Sequence, residues 1–158
     1  MRVLVTGMSG TGKSSLVKEL RRRGYTAFDA DDDGFSAPLP DGTWAWRVEP
    51  IRSLLDQYGD QLVFFAGCSD EQAAFAFDFK VLLTAPAEVI LDRLRLRTTN
   101  PFGKAEAERD RVLADMEWVL PLLCASADLV IETTRPTNEV ADSVIDAVVP
   151  GGGLTRRR

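Results

Sequence analysis

The chain contains no histidine and only two cysteines among its 158 residues. The cysteines, Cys68 and Cys124, lie far apart, and neither belongs to a CxxC pair. Zinc sites are commonly built from clustered cysteine and histidine, and the common nucleophilic triads use a histidine base. The composition therefore argues against a zinc site and against histidine-based catalysis.

Broad positive charge and long apolar runs are also lacking. The formal net charge is −5, so the surface lacks the positive field that sequence-independent binding to nucleic-acid phosphates requires. No apolar run approaches the ~20 residues of a membrane-spanning helix, and no apolar signal region follows Met1. We expect a cytoplasmic monomer or weak homo-oligomer that binds a small molecule rather than nucleic acid or a membrane.

Short apolar runs alternate with amphipathic segments along the chain. The runs are RVLVT at 2–6, YTAF at 25–28, QLVFFAG at 61–67, KVLLTAP at 80–86 and DLVIETT at 128–134. Such runs are typical of strands buried on both faces of a parallel sheet. Five strands, each followed by a helix, predict an α/β domain in which helices cover both faces of a five-stranded parallel sheet.

A chain of this length supports one sizeable core, so we assign residues 1–150 to a single domain. Pro101 and Gly103 interrupt the helical pattern near residues 98–104, because neither residue continues a helix comfortably. Residues 151–158, GGGLTRRR, offer nothing to pack and are expected to be disordered.

The segment GMSGTGKS at residues 7–14 matches the pattern GxxxxGK[ST] between a predicted strand and a predicted helix. Glycines let successive backbone N–H groups point at one position, where the helix N-terminus adds the positive end of its dipole. Lys13 would reach the β- and γ-phosphates of a nucleoside triphosphate, and the Ser14 hydroxyl would bind Mg²⁺. The residues expected to bind the nucleotide in this phosphate loop are Gly7, Ser9, Gly10, Thr11, Gly12, Lys13, Ser14 and Ser15.

Asp29 and Asp31 follow the second predicted strand, at the sheet edge that also carries the phosphate loop. An aspartate at this position could orient an acceptor hydroxyl, accept its proton or hold Mg²⁺ through water. The alternative is an acidic turn, because aspartate is common in turns.

Arg93 and Arg97 lie four residues apart, so a helix would present both guanidinium groups on one side. Arginine is permanently charged and binds phosphate through paired hydrogen bonds. We name Arg97 first and Arg93 second as candidates to stabilise transition-state charge. The alternative is a solvated basic helix face.

With these elements in this order, the chain resembles the shikimate-kinase and adenylate-kinase-like family of small P-loop kinases. The resemblance implies a three-layer P-loop NTPase fold with a short lid at about residues 98–104, and ATP and Mg²⁺ as cofactors. In that family a DxD-type element contacts acceptor and metal, which would give Asp29 and Asp31 those roles, with Asp31 linked to the metal. Arg135 and Pro136 would contact the adenine, although Pro136 could simply begin a helix.

The acceptor pocket is expected around Trp46 and Arg47, together with Gly67 after the third strand. A tryptophan there either stacks on a ring-bearing acceptor or packs into the core, and Arg47 could pair with an anionic group. The DGxPR signature of adenylate kinases and the triple glycine of shikimate kinases are absent. We expect transfer of the γ-phosphoryl of ATP to a small metabolite, with two alternatives. These are a nucleoside or nucleotide kinase, and a regulatory module or slow ATPase without an acceptor.

Overall fold

The computed structural model describes residues 1–98 and 101–150. Its strands, in chain order, are β1 (Arg2–Thr6), β2 (Ala27–Asp29), β3 (Ser36–Pro38), β4 (Trp44–Trp46), β5 (Val63–Ala66), β6 (Phe79–Thr84) and β7 (Leu129–Glu132). Five of them form one parallel sheet in the order β2-β5-β1-β6-β7. The predicted five-stranded parallel sheet is confirmed.

Within residues 1–98 and 101–150, six α-helices accompany the strands. They are α1 (Lys13–Arg22), α2 (Val48–Tyr58), α3 (Ala87–Leu96), α4 (Glu106–Trp118), α5 (Leu120–Ser126) and α6 (Thr137–Val148), and a 3₁₀ helix covers Asp70–Ala74. Both α1 and α6 are amphipathic: each buries its apolar side chains on one face and carries its polar residues on the opposite face.

The core is built on both faces of the sheet because successive strand residues point to opposite faces. Val3 and Val5 of β1 pack with the apolar residues of α1 and α6. Leu4, between them, packs with Trp46 and with the apolar residues of α2. A third cluster joins α3 to α4. Helices, sheet and helices form the three layers expected from the sequence.

The structure also contains an element that the sequence does not predict. Strands β3 and β4 form an antiparallel hairpin in which Ser36 pairs with Trp46 and Pro38 with Trp44. The strands are only three residues long, and Pro38 cannot donate a backbone hydrogen bond. This hairpin carries Trp46 back onto the core of the domain.

Among the described residues, no helix is both long enough and apolar enough to cross a membrane. The predicted lid includes residues 99 and 100, and the predicted disordered tail is 151–158. These positions lie outside the described residues, and the single-domain assignment of 1–150 stays a prediction.

Candidate active site

A cleft of about 720 Å³ opens where the chain leaves the carboxyl ends of the central strands. Open α/β sheets commonly bind ligands at this edge. The cleft contains most of the predicted phosphate loop, both predicted aspartates, Gly67 and both predicted arginines. Its lining residues are Ser9, Gly10, Gly12, Lys13, Ser14, Ser15, Leu16, Lys18, Asp29, Asp31, Asp32, Gly67, Arg93, Leu96, Arg97, Thr133, Arg135, Pro136, Thr137 and Val140.

The phosphate loop turns tightly beneath the cleft. Gly7 has a φ of 147°, and a Cβ atom at this position would lie 2.5 Å from the carbonyl oxygen of Leu83. A larger residue would therefore collide with the backbone of β6. Thr11 is buried, and its hydroxyl donates to the carbonyl oxygen of Met8 across the loop, at 2.8 Å. These contacts fix the loop's shape.

Lys13, the first residue of α1, lies over the phosphate loop. Its Nζ donates to the carbonyl oxygens of Gly7, at 2.5 Å, and Met8, at 3.0 Å. Burial lowers the pKa of Lys13 from its ordinary value, while Cys68 and the Asp31 and Asp29 carboxylates oppose this shift. The ammonium group is therefore held against the carbonyl oxygens of the loop whose backbone N–H groups we expect to bind phosphate.

Ser14 and Asp29 form a direct pair. The Ser14 hydroxyl donates to Asp29 Oδ2 at 2.6 Å, and Asp29 Oδ1 accepts from the backbone N–H groups of Asp31 at 3.0 Å and Asp32 at 3.1 Å. Asp29 is only 5% exposed. Because the serine proton is engaged by Asp29, the lone pairs of the Ser14 oxygen remain suited to a metal ion.

The donor set fits Mg²⁺ bound together with a nucleotide. Within residues 1–98 and 101–150, no group of three or more His, Cys, Asp or Glu side chains could hold a metal ion. Mg²⁺ usually binds through one or two protein oxygens, substrate phosphates and water, rather than through a complete protein cage. Ser14, supported by Asp29, and the exposed Asp31 nearby supply such oxygens.

Arg93 and Arg97 both face the cleft from the end of α3, but they make different contacts. Arg93 donates to the carbonyl oxygen of Gly10 at 3.2 Å and to both the hydroxyl and the carbonyl oxygen of Thr133. Arg97 donates to the carbonyl oxygen of Phe102 at 3.1 Å and to the Ser9 hydroxyl at 3.4 Å. Arg97 therefore connects the phosphate loop with the predicted lid.

Burial lowers the pKa of Arg97, and the charges of Asp31 and Glu108 oppose that shift. An arginine remains protonated under such a shift, because its ordinary pKa lies far above neutral pH. Glu108 also accepts from the backbone N–H of Gly103 at 2.9 Å and of Ala105 at 3.2 Å, which ties the start of α4 to the predicted lid.

On the acceptor side, the structure distinguishes the two interpretations of Trp46. The side chain is 6% exposed and packs edge-on against Phe65, with ring centroids 5.2 Å apart. Trp46 belongs to the core and does not line the cleft, so the stacking interpretation is corrected. Arg47 is also absent from the lining, and its guanidinium donates to the carbonyl oxygen of Gly34 at 3.1 Å.

Gly67 separates Trp46 from the cleft. A Cβ atom on Gly67 would lie 2.7 Å from Cζ2 of Trp46 and 2.9 Å from the Cβ of Ala30. The buried indole therefore supports the backbone that forms the cleft wall, although it does not contact the cavity itself.

At the other end of the cleft lie Arg135 and Pro136. Pro136 precedes the first residue of α6, and Arg135 donates to the Ser143 hydroxyl on that helix at 3.0 Å. Thr133, which the sequence did not single out, is also buried at this edge. Thr133 lay inside the predicted strand at 128–134, and its partners are distant in the chain, so no local signal marked it.

A phosphate loop after the central strand of this parallel sheet, with arginines facing it from α3, defines the class of P-loop small-molecule kinases. The model of the family described as AAA domain matches residues 3–114. The chain belongs to that family, and the resemblance stated from its motifs is confirmed.

A protein of Archaeoglobus fulgidus named "Putative adenylate kinase" is 26% identical to the chain over 164 residues, covering 100% of this chain and 87% of that protein. The structure of a shikimate kinase from Acinetobacter baumannii in complex with shikimate is similar with a TM-score of 0.66 at 16% identity, covering 97% and 95% of the two chains. A gluconokinase from Sinorhizobium meliloti gives a TM-score of 0.52 at 17% identity, covering 89% and 87%. These structural similarities show a kinase-like P-loop fold.

Proposed function

We propose that the protein is an ATP- and Mg²⁺-dependent phosphotransferase that moves the γ-phosphoryl of ATP to a hydroxyl or phosphate of a small metabolite. One observation carries the proposal. A single cleft brings together the phosphate loop, the Ser14–Asp29 pair, the exposed Asp31 and the arginines of α3. Phosphoryl transfer depends mainly on positioning and on stabilising charge, and these residues supply both.

On the donor side, the backbone N–H groups of the phosphate loop and Lys13 would bind the phosphates. Ser14 would hold Mg²⁺, which would supply positive charge to offset the negative charge of the phosphates. Asp29 accepts three hydrogen bonds, one from Ser14 and two from backbone N–H groups. Because both of its carboxylate oxygens are engaged in these bonds, we assign Asp29 to orienting Ser14.

On the acceptor side, Asp31 is exposed and lines the cleft, as Asp32 also does, and we assign the acceptor role to Asp31. Its Oδ1 accepts from the Ser36 hydroxyl at 2.7 Å, which orients the carboxylate. Asp31 would accept the proton of an acceptor hydroxyl while that oxygen forms a bond to the γ-phosphorus. The bond to the β-phosphate oxygen breaks, and ADP leaves.

Of the two arginines at the end of α3, Arg97 would act on the transferring group. Arg97 reaches the Ser9 hydroxyl, so its guanidinium lies at the phosphate loop. We assign it to the negative charge on the transferring phosphoryl group. Arg93 is held against Gly10 and Thr133, beside Arg135 and Pro136, where we place the adenine by resemblance to the family.

A second candidate acceptor class is nucleosides or nucleotides. The observation that favours it is the match to the protein named as an adenylate kinase, which covers the whole of this chain. Because Trp46 is buried in the core, it does not provide the stacking surface for a base that the sequence suggested for this class.

The direct test is single-turnover kinetics of the Lys13→Ala variant at saturating Mg-ATP. We expect its rate of ATP consumption to fall by about 10²-fold or more, because the ammonium group contacts charge that develops on the phosphates. Lys80→Ala is the matched control, because Lys80 lies near the start of β6, at the sheet edge opposite the cleft. A wild-type rate in the Lys13→Ala variant would refute the assignment.

A further inference from the structure

Thr133 joins three segments that are distant in the sequence. Its backbone N–H donates to the carbonyl oxygen of Thr84 at 2.8 Å, which extends the pairing of β7 with β6. Its hydroxyl donates to the carbonyl oxygen of Thr11, in the phosphate loop, at 2.7 Å. The side chain is 6% exposed, so water does not readily replace these bonds.

The same hydroxyl also accepts a hydrogen bond from Arg93. One guanidinium nitrogen of Arg93 donates to Thr133 Oγ1 at 2.9 Å, and the other donates to the Thr133 carbonyl oxygen. A threonine hydroxyl carries one proton and can accept as well as donate, so both interactions form together. The hydroxyl therefore links Arg93 on α3 to Thr11 in the phosphate loop.

Close packing limits how far this link can move. A Cβ atom added at Gly10 would lie 3.2 Å from side-chain atoms of Ile90 and Leu94, so α3 is packed directly on the phosphate loop. Arg93 donates to the Gly10 carbonyl oxygen from the same helix. Small displacements of Thr133 would consequently change the position of Arg93 relative to the loop.

We infer that Thr133 is a positioning residue of the nucleotide site: its hydroxyl holds Arg93 against the phosphate loop and keeps the segment Thr133–Pro136 aligned with that loop. The inference rests on the proposed function and deepens it, because it assigns control of nucleotide affinity to a residue outside the phosphate-loop motif. Thr133 acts through Arg93 and the loop, and it need not contact the nucleotide.

The primary test is the Thr133→Val variant, which retains the branched shape and removes the hydroxyl. We expect the dissociation constant of Mg-ATP, measured by titration calorimetry, to rise about 10-fold, because a buried carbonyl and a guanidinium N–H each lose a partner. The KM for ATP should rise similarly while kcat changes less, because Thr133 contacts Arg93 and the phosphate loop, to which we assign nucleotide binding rather than the transferring group.

Two controls separate positioning from general destabilisation. Thr133→Ser restores the hydroxyl and should restore ATP affinity to within a few-fold of the wild type. Thr43→Val removes a hydroxyl that donates to Asp41 between β3 and β4, outside the cleft lining, and should leave affinity unchanged. An unchanged dissociation constant in Thr133→Val, or a loss that Thr133→Ser fails to restore, would overturn the inference.

A double-mutant cycle with Arg93→Lys tests the route through Arg93. Arg93→Lys keeps the charge and loses the two-nitrogen contact with Thr133, so its effect and that of Thr133→Val should be less than additive. Additive effects would overturn the inference. If Thr133→Val does not fold, Arg93→Lys alone tests the inference, and an unchanged affinity of Arg93→Lys for Mg-ATP would overturn it. Failure of the wild type to bind Mg-ATP would instead refute the proposed function, and the inference with it.

Discussion

Replacing Gly67 with alanine should destabilise the protein through two close contacts, the shorter of them with Trp46. The added Cβ would lie 2.7 Å from Cζ2 of Trp46 and 2.9 Å from the Cβ of Ala30. Trp46 is held edge-on against Phe65, so its indole has little room to withdraw. Overpacking of this kind costs about 1–3 kcal/mol. For a domain of this size, that corresponds to a fall of about 2–12 °C in the unfolding temperature.

The contact between the new Cβ and Trp46 can be isolated by a double-mutant cycle. Thermal unfolding followed by circular dichroism would compare Gly67→Ala, Trp46→Phe and the double variant. Because Trp46→Phe removes the ring atom that the new Cβ meets, the double variant should be more stable than the sum of the single effects predicts, by about 1 kcal/mol. Strict additivity, or a wild-type unfolding temperature for Gly67→Ala, would refute the packing of Trp46 beneath the cleft wall.

Three further predictions concern other parts of the molecule. Arg97→Ala should lower kcat by about 10²-fold or more with little change in ATP affinity, because we assign Arg97 to charge that develops during transfer; steady-state kinetics that show an unchanged kcat would remove it from the mechanism. Asp29→Asn should raise the Mg²⁺ concentration for half-maximal activity by about 10-fold, because it weakens the group that orients Ser14; an identical Mg²⁺ titration would contradict this. Hydrogen bonds from arginines on α1 lower the pKa of Glu19 from 4.5 to about 2, so its contribution to stability is present above about pH 4.5 and is lost as the pH falls towards 2. The difference in unfolding temperature between the wild type and Glu19→Gln should shrink over that range, and a constant difference would show that Glu19 is not paired in solution.

The parts of the site that could be predicted are those encoded by adjacent residues. The phosphate loop is a contiguous motif, and Asp29 and Asp31 directly follow a strand of the same sheet. The four-residue spacing of Arg93 and Arg97 on one helix was equally local. Because the carboxyl ends of parallel strands share one edge, chain order was enough to bring these groups into one cleft.

The parts that could not be predicted depend on contacts between distant residues. Thr133 bonds to Thr11 across 122 positions of the chain, and no pattern around Thr133 specifies that partner. The burial of Trp46 depends on a hairpin whose strands are three residues long and lack a clear alternating pattern. Arg47 immediately precedes α2 and lies outside the cleft lining, and the sequence alone could not distinguish it from a cleft residue.

The measurement that tests the central claim most directly is ADP release from Mg-ATP in the presence of pooled small molecules. The pools would group nucleosides, nucleotides, sugars, cyclic acids and aminoglycosides, and Lys13→Ala would serve as the blank. We predict that one pool stimulates ADP release by the wild type and that the phosphorylated acceptor can be recovered from it. Slow hydrolysis that no pool stimulates would contradict the account and favour a nucleotide-binding module without a small-molecule acceptor.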